Sequence, residues 1–530
     1  MSDTPTGKKI FLPLIFGFIL ASGIFIGSKI VPAPRANSSN KISDILDYIQ
    51  QEYVDTVNRT QLMNSSIEKM LEQLDPHSAY IPAEDLASAN EPLEGNFEGV
   101  GIEFHLQQDT IMVVTAISGG PSERVGVMPG DRIIKVDGKK MTGTAITNEK
   151  VFKALRGKGG TMVTVSIFRK NSPKFLDFKI TRGKIPIYSV DTYYMADPKT
   201  GYIKISRFAA TTYDEFMVAM NKLKEQGMQK LILDLRGNPG GFLDAATKIA
   251  DEFLGGKKMI VYTQGKSRPR SSYYANQPGI FESGKLIVLV DEGSASASEI
   301  VSGALQDWDR ATIVGRRSFG KGLVQEQTVL PDGSAIRLTI ARYYTPTGRS
   351  IQKSYSHGIE AYDEEVIDRY KHGELVNKDS IHLVDSLKFH TPGGKTVYGG
   401  GGIMPDVFVP LDTTYESEYM NRLFAMGLVN QFAYNYVDTH RDYLKNFKNA
   451  EAFRTTFQID DAILNDFTQF SSKEGVVKDE KGLKKSAPMI RNQLKAYIAR
   501  LIWQNEGLYP VLHDMDNAYK KALELIHQPS

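Results

Sequence analysis

Not one cysteine occurs among the 530 residues. Disulfides, thiolate metal sites, cysteine nucleophiles and cysteine-linked lipids are therefore excluded together. The compartment stays open on that ground, because an exported protein can fold without disulfides. A surplus of either charge is missing as well. Lys and Arg number 64 against 62 Asp and Glu, a formal net charge of +2. Nucleic-acid binding calls for a clustered basic face, and this balance gives no case for one. Histidine is scarce, with nine residues, most of them in a polar stretch (His357, His372, His382, His390) or near the C-terminus. None stands in a context that marks a catalytic imidazole. Internal repeats are absent. What is present is the composition of a folded protein, 41% hydrophobic and 24% charged, at a length that predicts about three to four domains.

A long apolar run occurs at the N-terminus. Ile10 to Val31 is interrupted only by Ser22, Ser28 and Lys29 and follows Lys8 and Lys9. About 20 apolar residues span a bilayer as a helix, and lysines on the short side favour an N-in orientation. Residues 1–31 are therefore expected to anchor the chain in a bacterial inner membrane, with the remainder in the periplasm. A cleaved signal peptide is the alternative, but its apolar core is normally about 7–15 residues. The run here is longer, and no small-x-small site closes it.

Pro and Ser/Asn enrichment marks residues 32–40 as a linker. Ile42, Ile45, Leu46 and Ile49 recur at helical spacing, and a second helix through Ile67, Met70, Leu71 and Leu74 runs to Asp75-Pro76, within a helical segment 41–90. Residues 91–182 read as short strands at 100–104, 111–114, 132–136 and 162–167, with a helix from Ala145 to Leu155. From 183 to 410 apolar strands, Lys230–Leu235 and Lys285–Val290, each lead into a helix, Leu243–Leu254 and Ala297–Gln306. That order predicts βαβ units and a sheet covered on both faces. A polar stretch at 353–395 breaks the rhythm and reads as an insertion. Residues 411–530 read as helices, with Leu423, Met426, Val429 and Phe432 on one stripe and Leu494, Ile498, Leu501 and Ile502 on another. The fold class is α/β multidomain.

Chemistry gathers at two places. The strand ending at Val290 opens into Asp291-Glu-Gly-Ser-Ala-Ser-Ala-Ser-Glu299 and then a helix. A serine at such a turn faces the carboxyl edge of the sheet, beside free amides and the positive end of the helix dipole. The plain alternative is a helix cap, and the hydrolase elbow Gly-x-Ser-x-Gly is absent. A serine needs a base. Lysine serves only when burial pulls it well below its ordinary pKa of about 10.4. Lys321, in Ser318-Phe-Gly-Lys-Gly-Leu-Val-Gln325, has glycine and apolar neighbours and no adjacent carboxylate. Gly315 to Lys321 also matches seven positions of a phosphate-binding loop, but the eighth, which should carry a hydroxyl for magnesium, is Gly322.

Together, Gly293-Ser-Ala-Ser-Ala-Ser-Glu299 and Phe319-Gly-Lys-Gly-Leu-Val-Gln325 closely resemble the C-terminal processing peptidases, or tail-specific proteases. The interval of 25 residues from Ser296 to Lys321 resembles that family's Ser-to-Lys spacing and selects the middle serine. Leu74-Asp-Pro-His-Ser-Ala-Tyr80, Asp234-Leu-Arg-Gly-Asn-Pro-Gly-Gly241, Gly348-Arg-Ser-Ile-Gln352 and Gly402-Ile-Met-Pro-Asp-Val407 look like further landmarks in family order. The likeness covers about 42–410.

The resemblance implies a serine protease core with Ser296 as nucleophile, Lys321 as base and Gln325 orienting the lysine amine. It implies an oxyanion hole from the Ala297 amide and a second amide at Gly240 or Gly241, with Gly240 favoured. It implies no metal and no organic cofactor. Gly99-Val100-Gly101-Ile102, followed by Pro121 to Ile133, resembles a PDZ module that receives a chain-terminal carboxylate while the peptide adds a strand. Expected partners are protein substrates with accessible C-termini, a membrane through residues 10–31, and a second copy through the helical regions. A silent scaffold that only binds tails is the rival reading.

Overall fold

The computed structural model describes residues 16–23, 41–107, 109–169, 172–382 and 384–529. These divide into two compact units, one up to Gln73 and one from Leu74 onward. Of the apolar run at 10–31, only 16–23 are described, as helix; the rest of the expected anchor lies outside the described residues. No described helix is long and apolar enough to cross a membrane. In the first unit the helices Lys41–Glu52 and Arg59–Glu72 bury Leu46 and Leu71, and Arg59 pairs with Asp47 at 2.6 Å.

Within the second unit, residues 102–181 form a small sheet. Its strand order is Ile102–Gln107, Thr110–Ala116, Arg132–Val136, Met162–Phe168, Leu176–Thr181, every pair antiparallel. Alternate residues Ile111, Val113, Ile133, Val163, Val165 and Ile167 point to one apolar core, as period-two patterning requires. The single long helix there, Asn148–Leu155, starts where the Thr147 side chain accepts from the Lys150 amide. It packs Phe152 on Phe104, with ring centroids 5.4 Å apart.

The larger sheet runs Val190–Asp197, Thr200–Ile205, Lys230–Asp234, Leu286–Val290, Thr312–Gly315, Val407–Phe408. After the first antiparallel pair all neighbours are parallel. Alternation divides its side chains between two cores. Ile203, Leu231, Leu233, Val288 and Ile313 meet the helices Thr212–Glu225, Leu243–Asp251 and Ala297–Asp307. Tyr202, Ile232, Ile287, Leu289 and Val314 meet Ala518, Tyr519, Ala522 and Ile526 of the last helix, Asn517–His527. The expected two-sided cover is therefore present, and its second layer comes from the far end of the chain.

A second, five-stranded sheet pairs Ala335–Tyr344 with Leu323–Val329, Ala79–Ile81 and Met259–Gln264, with Ser271–Tyr274 at the edge. The polar stretch after Lys353 contains the helix Ile359–Lys371 and the ribbon Lys388–His390 with Thr396–Tyr398. It is tied to the protein rather than hung from it. Arg369, 2% exposed, donates to the carbonyls of Ser318 and Phe319. The Lys353 ammonium sits 4.0 Å from the Phe319 ring centroid and 4.1 Å from that of Tyr362.

The C-terminal helices bury Leu423, Val429, Phe432, Leu494 and Ile498 in their own core. Met426, expected on the first stripe, is exposed. Gly427, at φ 66°, breaks that run into the helices Glu418–Ala425 and Leu428–Thr439 and turns Met426 out. Arg500 pairs with Glu103 at 2.8 Å, and Arg441 donates to the Pro129 carbonyl at 2.7 Å, so this bundle also grips the small sheet domain. Asp516 caps the last helix and pairs with Arg236 at 2.7 Å.

Because Ile526 is fully buried against the large sheet, Ile526→Ala is expected to cost about 2–5 kcal/mol. A urea unfolding midpoint clearly below that of the parent protein is the expected result. An unchanged midpoint would mean that the last helix does not cover the sheet.

Candidate active site

Three neighbouring parallel strands, ending at Asp234, Val290 and Gly315, release their chains at the same edge of the large sheet. Open parallel sheets place their ligand crevices at that edge. Here it delivers a glycine turn (235–241), a serine turn (291–296) and a lysine loop (316–322) side by side.

The serine turn separates its three serines by contact. Ser294 is fully buried and donates to the Leu235 carbonyl at 2.8 Å, and Ser298, equally buried, donates to the Asn238 carbonyl at 2.9 Å. Ser296 instead lines an open cleft of about 590 Å³. Its backbone is at φ 54°, ψ −113°, a conformation that costs a residue with a Cβ about 1–3 kcal/mol and persists only when surrounding contacts enforce it. Those contacts are visible: the Ser296 amide donates to the Glu299 carboxylate at 2.8 Å, and the Glu299 and Ile300 amides donate to the Ser296 carbonyl. The Ala297 amide, first in the helix, donates to no protein acceptor among the described residues.

Asn238, fully buried, ties the glycine turn to this one. Its side chain donates to the Ile205 carbonyl and accepts from the Gly240 amide, both at 2.9 Å, and its own carbonyl accepts from Ala295 and Ser298. Gly240, at φ 95°, lies directly against the serine turn. A Cβ there would stand 2.7 Å from the Ser296 Cβ and 2.8 Å from the Ala297 nitrogen, closer than side chains tolerate. The Gly240 amide is thus occupied by Asn238, whereas the Gly241 amide donates to no protein acceptor among the described residues.

Lys321 lines the same cleft. Burial pushes its pKa down from the ordinary lysine value, and the Arg337 guanidinium adds to this, against the carboxylates of Glu299 and Asp75. Gln325 also lines the cleft, but its side-chain nitrogen donates to Thr339 Oγ1 at 3.3 Å, and no hydrogen bond joins it to Lys321 among the described residues. Thr339 in turn donates to Asp75 at 3.0 Å. Burial favours the protonated form of Asp75, yet bonds from Ser78, His77 and Thr339 together hold its pKa below the ordinary value.

Sequence reading found no histidine of interest, but His77 lines this cleft. Its ring lies 2.9 Å from the Tyr362 hydroxyl, and burial with the nearby Lys321 charge lowers its pKa to about 4. The signal lay in the Asp-Pro-His-Ser landmark. Arg337 is the other residue the sequence did not announce; Gln327 holds its guanidinium at 2.9 Å. The near-match to a phosphate loop comes to nothing, since a strand, Leu323–Val329, follows Lys321 where that loop requires a helix. A larger groove of about 810 Å³, between strand Val190–Asp197 and the C-terminal helices near Trp503, holds none of the cleft's residues.

In the small sheet domain, the four residues expected to receive a chain terminus join a strand end to a strand start. Gly99 ends a strand paired with Gly183; the buried Val100 presents its carbonyl to Ser122; and Gly101, at φ 78°, presents its own to Ile117. Ile102 then opens the strand beside helix Asn148–Leu155.

Residues 199–364 match the model of peptidase family S41, residues 99–180 that of the PDZ domain, and 28–85 that of the activating protease CtpB N-terminal domain. Residues 419–504 match a family of unknown function. A carboxy-terminal-processing protease of Bartonella bacilliformis is 35% identical over 413 residues, which cover 76% of this chain and 92% of that one. A probable CtpA-like serine protease of Staphylococcus aureus is 35% identical over 391 residues, 70% of this chain and 76% of the relative. Among solved structures, the photosystem II D1 C-terminal processing protease is 28% identical at a TM-score of 0.37, over 70% of this chain and 87% of its own. The chain therefore belongs to the carboxy-terminal-processing proteases of peptidase family S41 and is a serine-type peptidase with a PDZ domain.

Proposed function

We propose that this protein cleaves polypeptides with Ser296 as nucleophile and Lys321 as general base, after its PDZ domain has captured the substrate's C-terminus. The observation that carries this reading is one cleft holding a strained serine and a half-buried lysine that is depressed in pKa. In the first step neutral Lys321 takes the Ser296 hydroxyl proton as the oxygen bonds to the scissile carbonyl carbon. The resulting lysine ammonium gives that proton to the leaving amine as the carbon–nitrogen bond breaks. Water, deprotonated by the same lysine, then bonds to the acyl carbon; the ester bond to Ser296 breaks, and the lysine returns the proton to the Ser296 oxygen as the carboxylic acid leaves. Gln325, held by Thr339 and through it by Asp75, is assigned the orienting of the lysine amine during turnover.

The oxyanion is assigned to the amides of Ala297 and Gly241, which donate to no protein acceptor among the described residues. Gly240, the residue favoured from the sequence, contributes clearance instead, because Asn238 occupies its amide. Substrate tails enter beside Gly99, Val100, Gly101 and Ile102 and extend the strand that Ile102 opens. Substrates are envelope or periplasmic proteins with apolar C-termini, and residues 10–31 tether the protease at the inner membrane. Cell fractionation tests that tether: the full chain should pellet with membranes, and recovery in the soluble periplasmic fraction would contradict it.

Ser296→Ala and Lys321→Arg should each lower turnover of an unstructured substrate by about 10⁴-fold or more, with tail binding retained. Arginine fails because guanidinium keeps its proton. Retained turnover in either variant would remove that residue from the chemistry, and would favour the tail-binding scaffold if the parent protein were also inert. Gly240→Ala should lose at least about 10²-fold in kcat, through the clash with Ser296 and Ala297. Neutral Lys321 is the active form, so kcat/KM should rise with pH through its pKa. Removing the nearby positive charge with Arg337→Gln makes the ammonium easier to hold, so this limb should move to higher pH.

A further inference from the structure

Glu299 lies in the first turn of the helix Ala297–Asp307 and is fully buried. Its Oε2 accepts from the Ser296 amide and from the Lys321 amide, each at 2.8 Å. Its Oε1 accepts from the Ser318 hydroxyl at 2.5 Å and the Gly320 amide at 2.7 Å. No cationic side chain pairs with it among the described residues. A glutamate at this helix position ordinarily caps its own N-terminus with its head in water. Burying a carboxylate without a counter-ion costs several kcal/mol unless hydrogen bonds replace its hydration. Here all four replacing donors belong to the serine turn or the lysine loop. One oxygen therefore fixes the Ser296 and Lys321 backbones within hydrogen-bonding reach of a common point, across 25 residues of sequence.

We propose that Glu299 is the positioning residue that sets the register between the Ser296 hydroxyl and the Lys321 amine, by gathering both residues' amides on one buried carboxylate. This rests on the Ser–Lys reading given above. Tyr343 assists from the second sheet, its hydroxyl lying within hydrogen-bonding distance of the Ser296 and Lys321 carbonyls. The carboxylate also acts through its charge. Glu299 and Asp75 favour the Lys321 ammonium; burial and Arg337 oppose it; and His77, on the cleft wall, stays neutral above a pH of about 4. Burial raises the pKa of Glu299 itself to about 7, against the pull of its four donors.

Glu299→Gln keeps the size but turns an NH₂ group toward two of the four donors and removes the charge. Its kcat should fall on the order of 10²-fold, the effect of a misplacement of about 1 Å, with KM little changed. The acid limb of kcat/KM should move to lower pH, since Lys321 then loses its proton more easily. A purely structural role would move neither the KM-to-kcat split nor that limb. Ser318→Ala removes one donor without touching Ser296 or Lys321, and should lower kcat by less while KM holds. If Glu299→Gln does not fold, Ser318→Ala carries the test, and an unchanged kcat overturns the proposal. Ser296→Ala is the control: turnover there would defeat the Ser–Lys reading itself. An inert Ser296→Ala beside a Glu299→Gln protein with parental kcat and an unmoved acid limb would overturn the positioning role alone.

Discussion

A single buried carboxylate, with no counter-ion among the described residues, holds together the two loops on which the proposed chemistry depends. Glu299 binds both, and the rest of the site is arranged so that it can. Ser296 is forced to a positive φ at the turn into the helix that begins at Ala297. Asn238 performs the same service on the other side, fastening the glycine turn to Ala295 and Ser298. Neither residue lines the cleft, yet together they fix what does. Preorganisation of this kind is how an active site supplies rate without reorganising during the reaction.

The C-terminal helices belong to the same scheme. Their last member forms one layer of the protease core, and Asp516 at its start pairs with Arg236 in the glycine turn. Arg236 in turn grips Asp234, which also takes the Tyr202 hydroxyl and the Lys204 ammonium. Burial opposes the ionised form of Asp234, but Arg236 and Lys204 outweigh it and hold its pKa far below the carboxylate range. The same helical region pairs with Glu103 and with the Pro129 carbonyl of the PDZ domain. One segment thus braces both the turn beside Ser296 and the domain that receives tails.

Much of this was legible in the chain because it is written in local pattern. Apolar strands leading into helices gave the parallel sheet, and alternation from Val100 to Ile167 gave the PDZ strands. Ser296, Lys321 and Gln325 stood out through short motifs, and they line one cleft. What was not legible depends on contacts between distant segments. His77 stood in the Leu74–Tyr80 landmark with nothing local to mark it, and only the cleft gathers it with Lys321. Arg337 sits in an unremarkable strand. Glu299 merely closed the serine motif, since three of its four partners lie 19 to 22 residues onward. The preference for Gly240 over Gly241 failed to anticipate Asn238, whose side chain takes the Gly240 amide. Met426 was misplaced because a stripe at helical spacing does not reveal that Gly427 ends the helix.

The central claim is that Ser296 is a nucleophile made reactive by a depressed lysine. Serine-directed phosphonate labelling tests it most directly, with the modified residue mapped by mass spectrometry and the labelling rate followed against pH. The account predicts modification of Ser296 alone, at a rate that rises with pH along one titration lying below the ordinary lysine value. Labelling elsewhere, or a limb at the ordinary lysine value, would contradict it.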